Sequence, residues 1–159
     1  MSDRPQRLVS VGERAARLIL LVLFVLHAPL LVWGLFGLAE QVLDSVPWLP
    51  ISSDVFPEWM LWAQYSGLIA TGLVMVGGLL TRWRWTPMLM IPLYAVLGGL
   101  CAIQNFGGML PRSTHYLEMT FEYVVYAVIL LALFRVAEVR LFFRLPVDGD
   151  AMPPIPPAR

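Results

Sequence analysis

The chain has 159 residues with 11 basic and 11 acidic side chains, so its formal net charge at neutral pH is zero. Hydrophobic residues make up 58% of it and charged residues 14%, and the mean hydropathy is +0.72. These values predict an integral membrane protein, and they argue against a nucleic-acid-binding protein or an enzyme with a separate soluble catalytic domain.

Four apolar stretches reach the ~20 residues that a helix needs to cross about 30 Å of hydrocarbon. They predict an all-α protein, a polytopic bundle of four transmembrane helices. Residues 1–145 would form this single transmembrane domain, and the proline-rich residues 146–159 a cytoplasmic tail. The predicted spans are residues 18–39, 59–80, 87–106 and 116–134.

The arginines predict the orientation of the chain. Ten of them lie before the first span, between the second and third, or after the fourth, whereas only Arg112 lies on the opposite side. By the positive-inside rule, both termini are expected in the cytoplasm of a bacterium, with the protein in the inner membrane. The loop from Glu40 to Glu58 would then be periplasmic. The arginine-containing segments 8–17 and 135–145 are expected to lie along the cytoplasmic interface.

Small residues recur in the second and third spans at spacings that allow two helices to approach closely. Because only a short turn joins these spans, we expect them to pack directly against each other. The predicted contact residues are Ala63, Gly67 and Thr71 in the second span and Ala95, Gly98, Gly99 and Ala102 in the third.

Titratable side chains stand at the start of the fourth span and inside it. His115, Glu118, Glu122 and Tyr126 follow each other at intervals of three, four and four residues, so they share one helix face. A charge at the centre of a bilayer costs about 2.5–3.5 kcal/mol, so this face should meet protein or a hydrated cavity. Polar residues of the other spans predict a pocket that opens toward the periplasmic leaflet. These further candidates are His27, Gln64, Gln104 and Asn105.

Glu118 has a simple structural interpretation, whereas Glu122 and His27 each have two. Glu118 is explained by its place in the first helical turn, where the helix dipole and nearby water favour an anion. Glu122 lies a turn deeper and is expected to be protonated, hydrogen-bonded or paired, with His27, Gln64 or Gln104 as its partner. For both Glu122 and His27, a structural hydrogen-bonding role and a ligand, quinone or proton role remain open.

No metal site is predicted, and haem is not expected either. His115 with Glu118 and Glu122 resembles one edge of a carboxylate site, but a di-iron bundle needs ligands from other helices, which those spans lack. Two histidines that hold one haem must lie at the same depth, whereas His27 is central and His115 is at the membrane edge. Among cofactors, a quinone remains open.

The second span and the turn after it read YSGLIATGLVMVGGLLTRW, with GGLLTRW at Gly77–Trp83 running directly into another span. With four short spans and acidic residues at the start of the fourth, residues 14–136 resemble the DoxX-like family of small bacterial membrane proteins. The resemblance implies a four-helix fold and a redox-linked membrane neighbourhood.

Three functions are therefore open. The first is an accessory subunit of a larger cytoplasmic-membrane assembly, respiratory or quinone-linked, because four short helices leave much apolar surface and little loop. The second is a quinone-linked oxidoreductase membrane subunit in which Glu122 and His27 bind the quinone ring or relay its protons. The third is a small transporter. The expected partners are the lipid bilayer and other membrane-protein subunits.

Overall fold

The computed structural model describes residues 11–43, 56–107 and 115–146. These residues form four long helices and one short one, and each of the four long helices is long and apolar enough to cross a membrane. The predicted all-α architecture with four membrane-spanning helices is confirmed. The helices are α1 (Val11–Leu43), α2 (Glu58–Thr81), α3 (Thr86–Phe106), α4 (His115–Arg135) and α5 (Ala137–Phe142).

The bounds of α2, α3 and α4 agree with the predicted spans to within one residue at each end. Helix α1 is longer than predicted at both ends, because residues 11–17 continue it without a break and residues 40–43, predicted to begin the periplasmic loop, are helical too. The ion pair between Arg17 and Glu13, one turn apart at 2.6 Å, supports this extension. Most of the predicted periplasmic loop, and the tail beyond Pro146, lie outside the described residues.

The long helices pack in chain order, α1 on α2, α2 on α3 and α3 on α4. Helix α5 contacts both α4 and α1 and so joins the two ends of this row. Among the described residues, α1 and α4 themselves have no extensive contact. The bundle is therefore closed at the α5 end, and the described residues of α1 and α4 have no comparable contact toward the other end.

Helix α5 is part of the core, although segment 135–145 was expected to lie along the membrane interface. Val139 and Phe143 have no exposed surface and belong to the same hydrophobic cluster as Leu23 of α1 and Leu133 of α4. The Arg82 guanidinium, in the turn after α2, lies 5.3 Å from the centre of the Phe142 ring. Val139 and Phe143 stand four residues apart, so both face the bundle once the chain turns after Arg135.

The most extensive helix contact is between α1 and α2, which small-residue spacing did not predict. A Cβ atom at Gly37 would lie 2.2 Å from the Tyr65 ring, and one at Gly72 would lie 2.5 Å from the Leu31 Cβ. Gly34 is similarly close to the α2 backbone, with Tyr65 O at 3.0 Å. The absence of side chains at these three positions allows the two helices to approach.

The predicted α2–α3 contact is present at only some of its residues. Thr71 is fully buried, and a Cβ at Gly67 would lie 2.9 Å from Leu97 of α3. Gly98 faces Tyr123 of α4 instead of α2, and Gly99 has open space beside it. Ala95 is exposed, whereas Ala63 and Ala102 are half-buried. Helix α3 has to serve both neighbours, so its small residues are divided between different faces.

Gly72→Ala should lower the melting temperature in detergent. The new Cβ would lie 2.9 Å from the Leu31 Cα, and a backbone atom can move away only if the two helices separate. Overpacking of this kind costs at least about 1 kcal/mol. Gly77→Ala is the matched control on the same helix, since nothing lies within 4 Å of its added methyl group. Equal melting temperatures for the two variants would contradict the close α1–α2 contact.

Candidate functional site

A cavity of about 550 Å³ lies within the bundle, and all four long helices contribute to its wall. This volume is in the range of sites that hold small organic molecules. The wall is mainly apolar, with leucine, valine, isoleucine, phenylalanine and tryptophan side chains. Its polar and titratable residues are His27, Gln64, Tyr94, Cys101, Gln104, Glu118, Glu122 and Tyr126.

Helical periodicity brings these residues to the cavity. On α4, Glu118, Glu122 and Tyr126 stand four residues apart, so they form one stripe along the helix. On α1, Leu30 and Trp33 follow His27 by one turn and by almost two turns and supply an apolar wall. Helix α4 thus contributes two carboxyl groups and a tyrosine to the cavity wall, and α1 contributes His27 beside an apolar surface.

His27 is buried, with 1% of its surface exposed, and both of its ring nitrogens have partners. Nδ1 lies 2.6 Å from the Leu23 carbonyl oxygen, which can only accept a hydrogen bond, so Nδ1 carries a hydrogen. In the neutral ring, Nε2 is then the acceptor, and the Tyr94 hydroxyl 2.6 Å away donates to it. A backbone carbonyl of α1 therefore fixes the tautomer of a side chain at the cavity wall.

A second pair lies beside the first. The Tyr126 hydroxyl donates to Glu122 Oε1 at 2.5 Å, and the Tyr126 ring stacks on the Tyr94 ring with 4.4 Å between centroids and 14° between planes. The stack brings together two hydroxyl-bearing rings, one from α3 and one from α4. Each hydroxyl is hydrogen-bonded to a different titratable side chain, His27 or Glu122.

An amide pair completes the polar part of the wall. Gln104 Nε2 of α3 donates to Gln64 Oε1 of α2 at 2.7 Å. Because a side-chain amide has two N–H donors and an oxygen with two lone pairs, this bond leaves both glutamines with further donors and acceptors that can serve a ligand. The pair lies near the ends of the helices that are distant from α5.

Six of the eight polar candidates from the sequence line this cavity: His27, Gln64, Gln104, Glu118, Glu122 and Tyr126. Asn105 does not line it. The Asn105 amide nitrogen donates to the Cys101 carbonyl oxygen at 2.8 Å and lies 3.5 Å from the Cys101 thiol. His115 begins α4, and its side chain lies outside the described part of the chain.

The expected partner of Glu122 was wrong. His27 has Leu23 and Tyr94 as its partners, and Gln64 and Gln104 bond to each other. Glu122 instead accepts from Tyr126, one turn along its own helix, and it is close enough to the Cys101 thiol to interact with it. Two tyrosines thus stand between Glu122 and His27.

Sequence reasoning missed Tyr94, which is central to the site. A signal was present, because Tyr94, Leu97, Cys101 and Gln104 follow each other at intervals of three, four and three residues and share one face of α3. That spacing does not predict that His27, 67 residues earlier, is the hydrogen-bond partner of the Tyr94 hydroxyl. No group of three or more His, Cys, Asp or Glu side chains among the described residues is arranged to hold a metal ion.

The fold and the site define a multi-pass membrane protein whose four-helix bundle encloses a partly polar cavity. No family model, curated protein or solved structure matches the chain. The DoxX-like resemblance therefore stays a prediction from the residues.

Proposed function

We propose that this protein is a membrane subunit that binds a quinone-class molecule in the cavity and works within a larger quinone-linked assembly. One observation carries the proposal. Two tyrosines, whose hydroxyls are each bonded to a titratable side chain, line an otherwise largely apolar cavity of about 550 Å³. A flat apolar ring with two carbonyl oxygens matches such a wall in both shape and hydrogen bonding.

The hydrogen-bond pairs can serve either protonation state of a ligand. While His27 is neutral, the Tyr94 hydrogen points to Nε2. When His27 gains a proton, Nε2 becomes a donor to the Tyr94 oxygen, and the hydroxyl hydrogen is free to turn to a ligand carbonyl. A protonated Glu122 would change Tyr126 from donor to acceptor in the same way. In each pair, protonation of the titratable side chain thus frees the tyrosine hydroxyl to donate a hydrogen bond to the ligand.

Quinone reduction takes two protons as well as two electrons. His27 and Glu122 would hold the protons, and the two tyrosines would pass them to the two oxygens of the ring. The electrons would come from a partner subunit. This agrees with the prediction that the chain is an accessory part of a larger membrane assembly.

A direct binding measurement tests the proposal. Benzoquinone analogues bound in the cavity should quench tryptophan fluorescence, since Trp33 lines the cavity wall. The Tyr94→Phe/Tyr126→Phe double variant should bind at least about 10-fold more weakly, because it loses two hydrogen bonds. Tyr123→Phe is the matched control, since the Tyr123 hydroxyl donates to the Gly98 carbonyl and does not line the cavity. Unchanged affinity in the double variant would contradict the proposed site.

We further propose that the protein lies in a bacterial inner membrane with both termini in the cytoplasm, on the basis of the arginine distribution. In a Cys101→Ala background, Ser53→Cys should react with an impermeant thiol reagent added to intact spheroplasts, and Ser10→Cys should not. Both positions lie outside the described residues. The reverse labelling pattern would invert the proposed orientation.

A further inference from the structure

The cavity has an opening on the side of the bundle, between α1 and α4. Three apolar residues line the cavity and are nevertheless exposed, Leu26 to 43%, Trp33 to 53% and Phe121 to 70% of their surface, and the charged wall residue Glu118 is exposed as well. The first two belong to α1 and the third to α4, the two long helices that have no extensive contact among the described residues. These side chains therefore form the rim of a gap that leads from the outer surface of the bundle to the cavity.

The rim lies toward the middle of the part of α1 that is apolar enough to span a membrane. His27 is the central residue of α1, with 16 helical residues on either side of it. Leu26 adjoins it, and Trp33 is only six residues, or about 9 Å of helical rise, further on. Leu26, Trp33 and Phe121 carry no charge, and the exposed carboxyl group of Glu118 lies about one turn from Phe121, toward the end of the α4 span. A molecule dissolved in the bilayer interior can reach this opening without crossing the headgroup region.

We propose that the ligand enters sideways from the bilayer through the gap between α1 and α4, and that it carries a long apolar tail. The tail lies between Trp33 and Phe121 while the ring lies against Tyr94 and Tyr126. This inference rests on the proposed function, and it specifies the substrate class as a tailed, lipid-soluble quinone. The gap between α1 and α4 is continuous with the cavity, so one molecule can fill both. Its polar end would lie at the tyrosine hydroxyls and its apolar end in lipid.

Helix α5 contacts both α1 and α4, and these contacts explain why the opening lies away from the α5 end of the bundle. Val139 and Phe143 are fully buried in the cluster that includes Leu23 and Leu133, so the α5 end is sealed. Toward the other end, α1 and α4 are held by α2 and α3 alone. The seal fixes the spacing of α1 and α4 at one end and leaves room for a tail at the level of Trp33.

The test uses the full-length protein in nanodiscs and compares benzoquinones that share one ring but carry no tail, a decyl tail or a long isoprenoid tail. Affinities are expressed per mole fraction in the membrane, so that partitioning into lipid does not count as binding. The tailed compounds should bind at least about 10-fold more tightly than the untailed ring. Phe121→Ala should weaken the binding of the tailed compounds and so remove most of this difference, with a smaller effect on the untailed ring. Leu117→Ala is the control, because Leu117 is 76% exposed on the same helix but does not line the cavity.

A photoreactive group at the end of the decyl tail gives a second, independent measurement. Crosslinks mapped by mass spectrometry should fall on the sides of α1 and α4 that border the gap, around Trp33 and Phe121. Crosslinks confined to α2 or α3 would overturn the proposal.

The remaining outcomes separate the two proposals. Equal affinity for all three compounds, unchanged by Phe121→Ala, would overturn sideways entry and leave the quinone site intact. Failure of every compound to bind would overturn both. A dimer that excludes the tailed compounds would assign the gap to a second copy of the chain and would also overturn sideways entry.

Discussion

Replacing His27 with leucine is expected to lower the free energy of unfolding by about 2–4 kcal/mol, because two hydrogen bonds are lost and the Tyr94 hydroxyl is left buried without its acceptor. Leucine has a similar volume, so the change removes hydrogen bonding more than packing. The loss should appear as a lower melting temperature in detergent. A melting temperature equal to that of the parent would show that the His27–Tyr94 bond does not hold the bundle together.

A double-mutant cycle separates the stranded hydroxyl from other effects. Adding Tyr94→Phe to His27→Leu removes the unpaired group, so the double variant should be at least as stable as His27→Leu alone. Adding Tyr123→Phe should instead lower stability further by the full effect of that single change, since Tyr123 bonds to Gly98 and not to His27. Additive losses in the Tyr94 cycle would contradict the direct contact between the two side chains.

The largest expected effect on activity is at Glu122. Glu122→Gln keeps an oxygen that accepts from Tyr126, so the melting temperature should stay close to that of the parent. The amide cannot release or take up a proton, so quinone-linked turnover should fall by about 10²–10⁴-fold if Glu122 supplies protons to the ring. The measurement pairs thermal unfolding with quinone-linked respiration in cells that carry each variant.

Glu122→Ala completes the comparison. It leaves the Tyr126 hydroxyl without its acceptor and should lower the melting temperature as well as the activity. A purely structural role would give a stable, fully active Gln variant and a destabilised Ala variant. If the Ala variant is as stable and as active as the parent, neither role survives, and the carboxylate is merely solvated.

The stacked tyrosines explain why Glu122 and His27 belong in one site although they do not touch. The Tyr94 and Tyr126 rings are 4.4 Å apart, and each hydroxyl is bonded to a different one of the two titratable side chains. A ligand ring that binds at both hydroxyls would therefore sense the protonation of both titratable groups. This arrangement predicts that the His27 and Glu122 variants affect ligand binding together and not independently.

The sequence by itself determined the number of spanning helices and nearly all of their bounds. Backbone N–H and C=O groups in lipid must form their hydrogen bonds within the protein, so an apolar run long enough to span the membrane commonly forms a helix. It also determined which polar residues share a helix face, because the helical repeat alone sets that relation. For this reason most of the polar candidates were found before any tertiary contact was known. The local bond between Tyr126 and Glu122 obeys the same repeat and could have been predicted.

Only the tertiary structure decided which faces meet. Small residues mark a surface that permits close approach but do not identify the partner, so Gly37 and Gly72 did not predict that α1 and α2 form the most extensive pair. The bond of His27 to Tyr94 and the sealing of one end by α5 join residues far apart in the chain. So does the gap beside Trp33 and Phe121, which exists because α1 and α4 are held apart by helices between them. Such relations depend on packing between helices, and no periodicity within one helix encodes them.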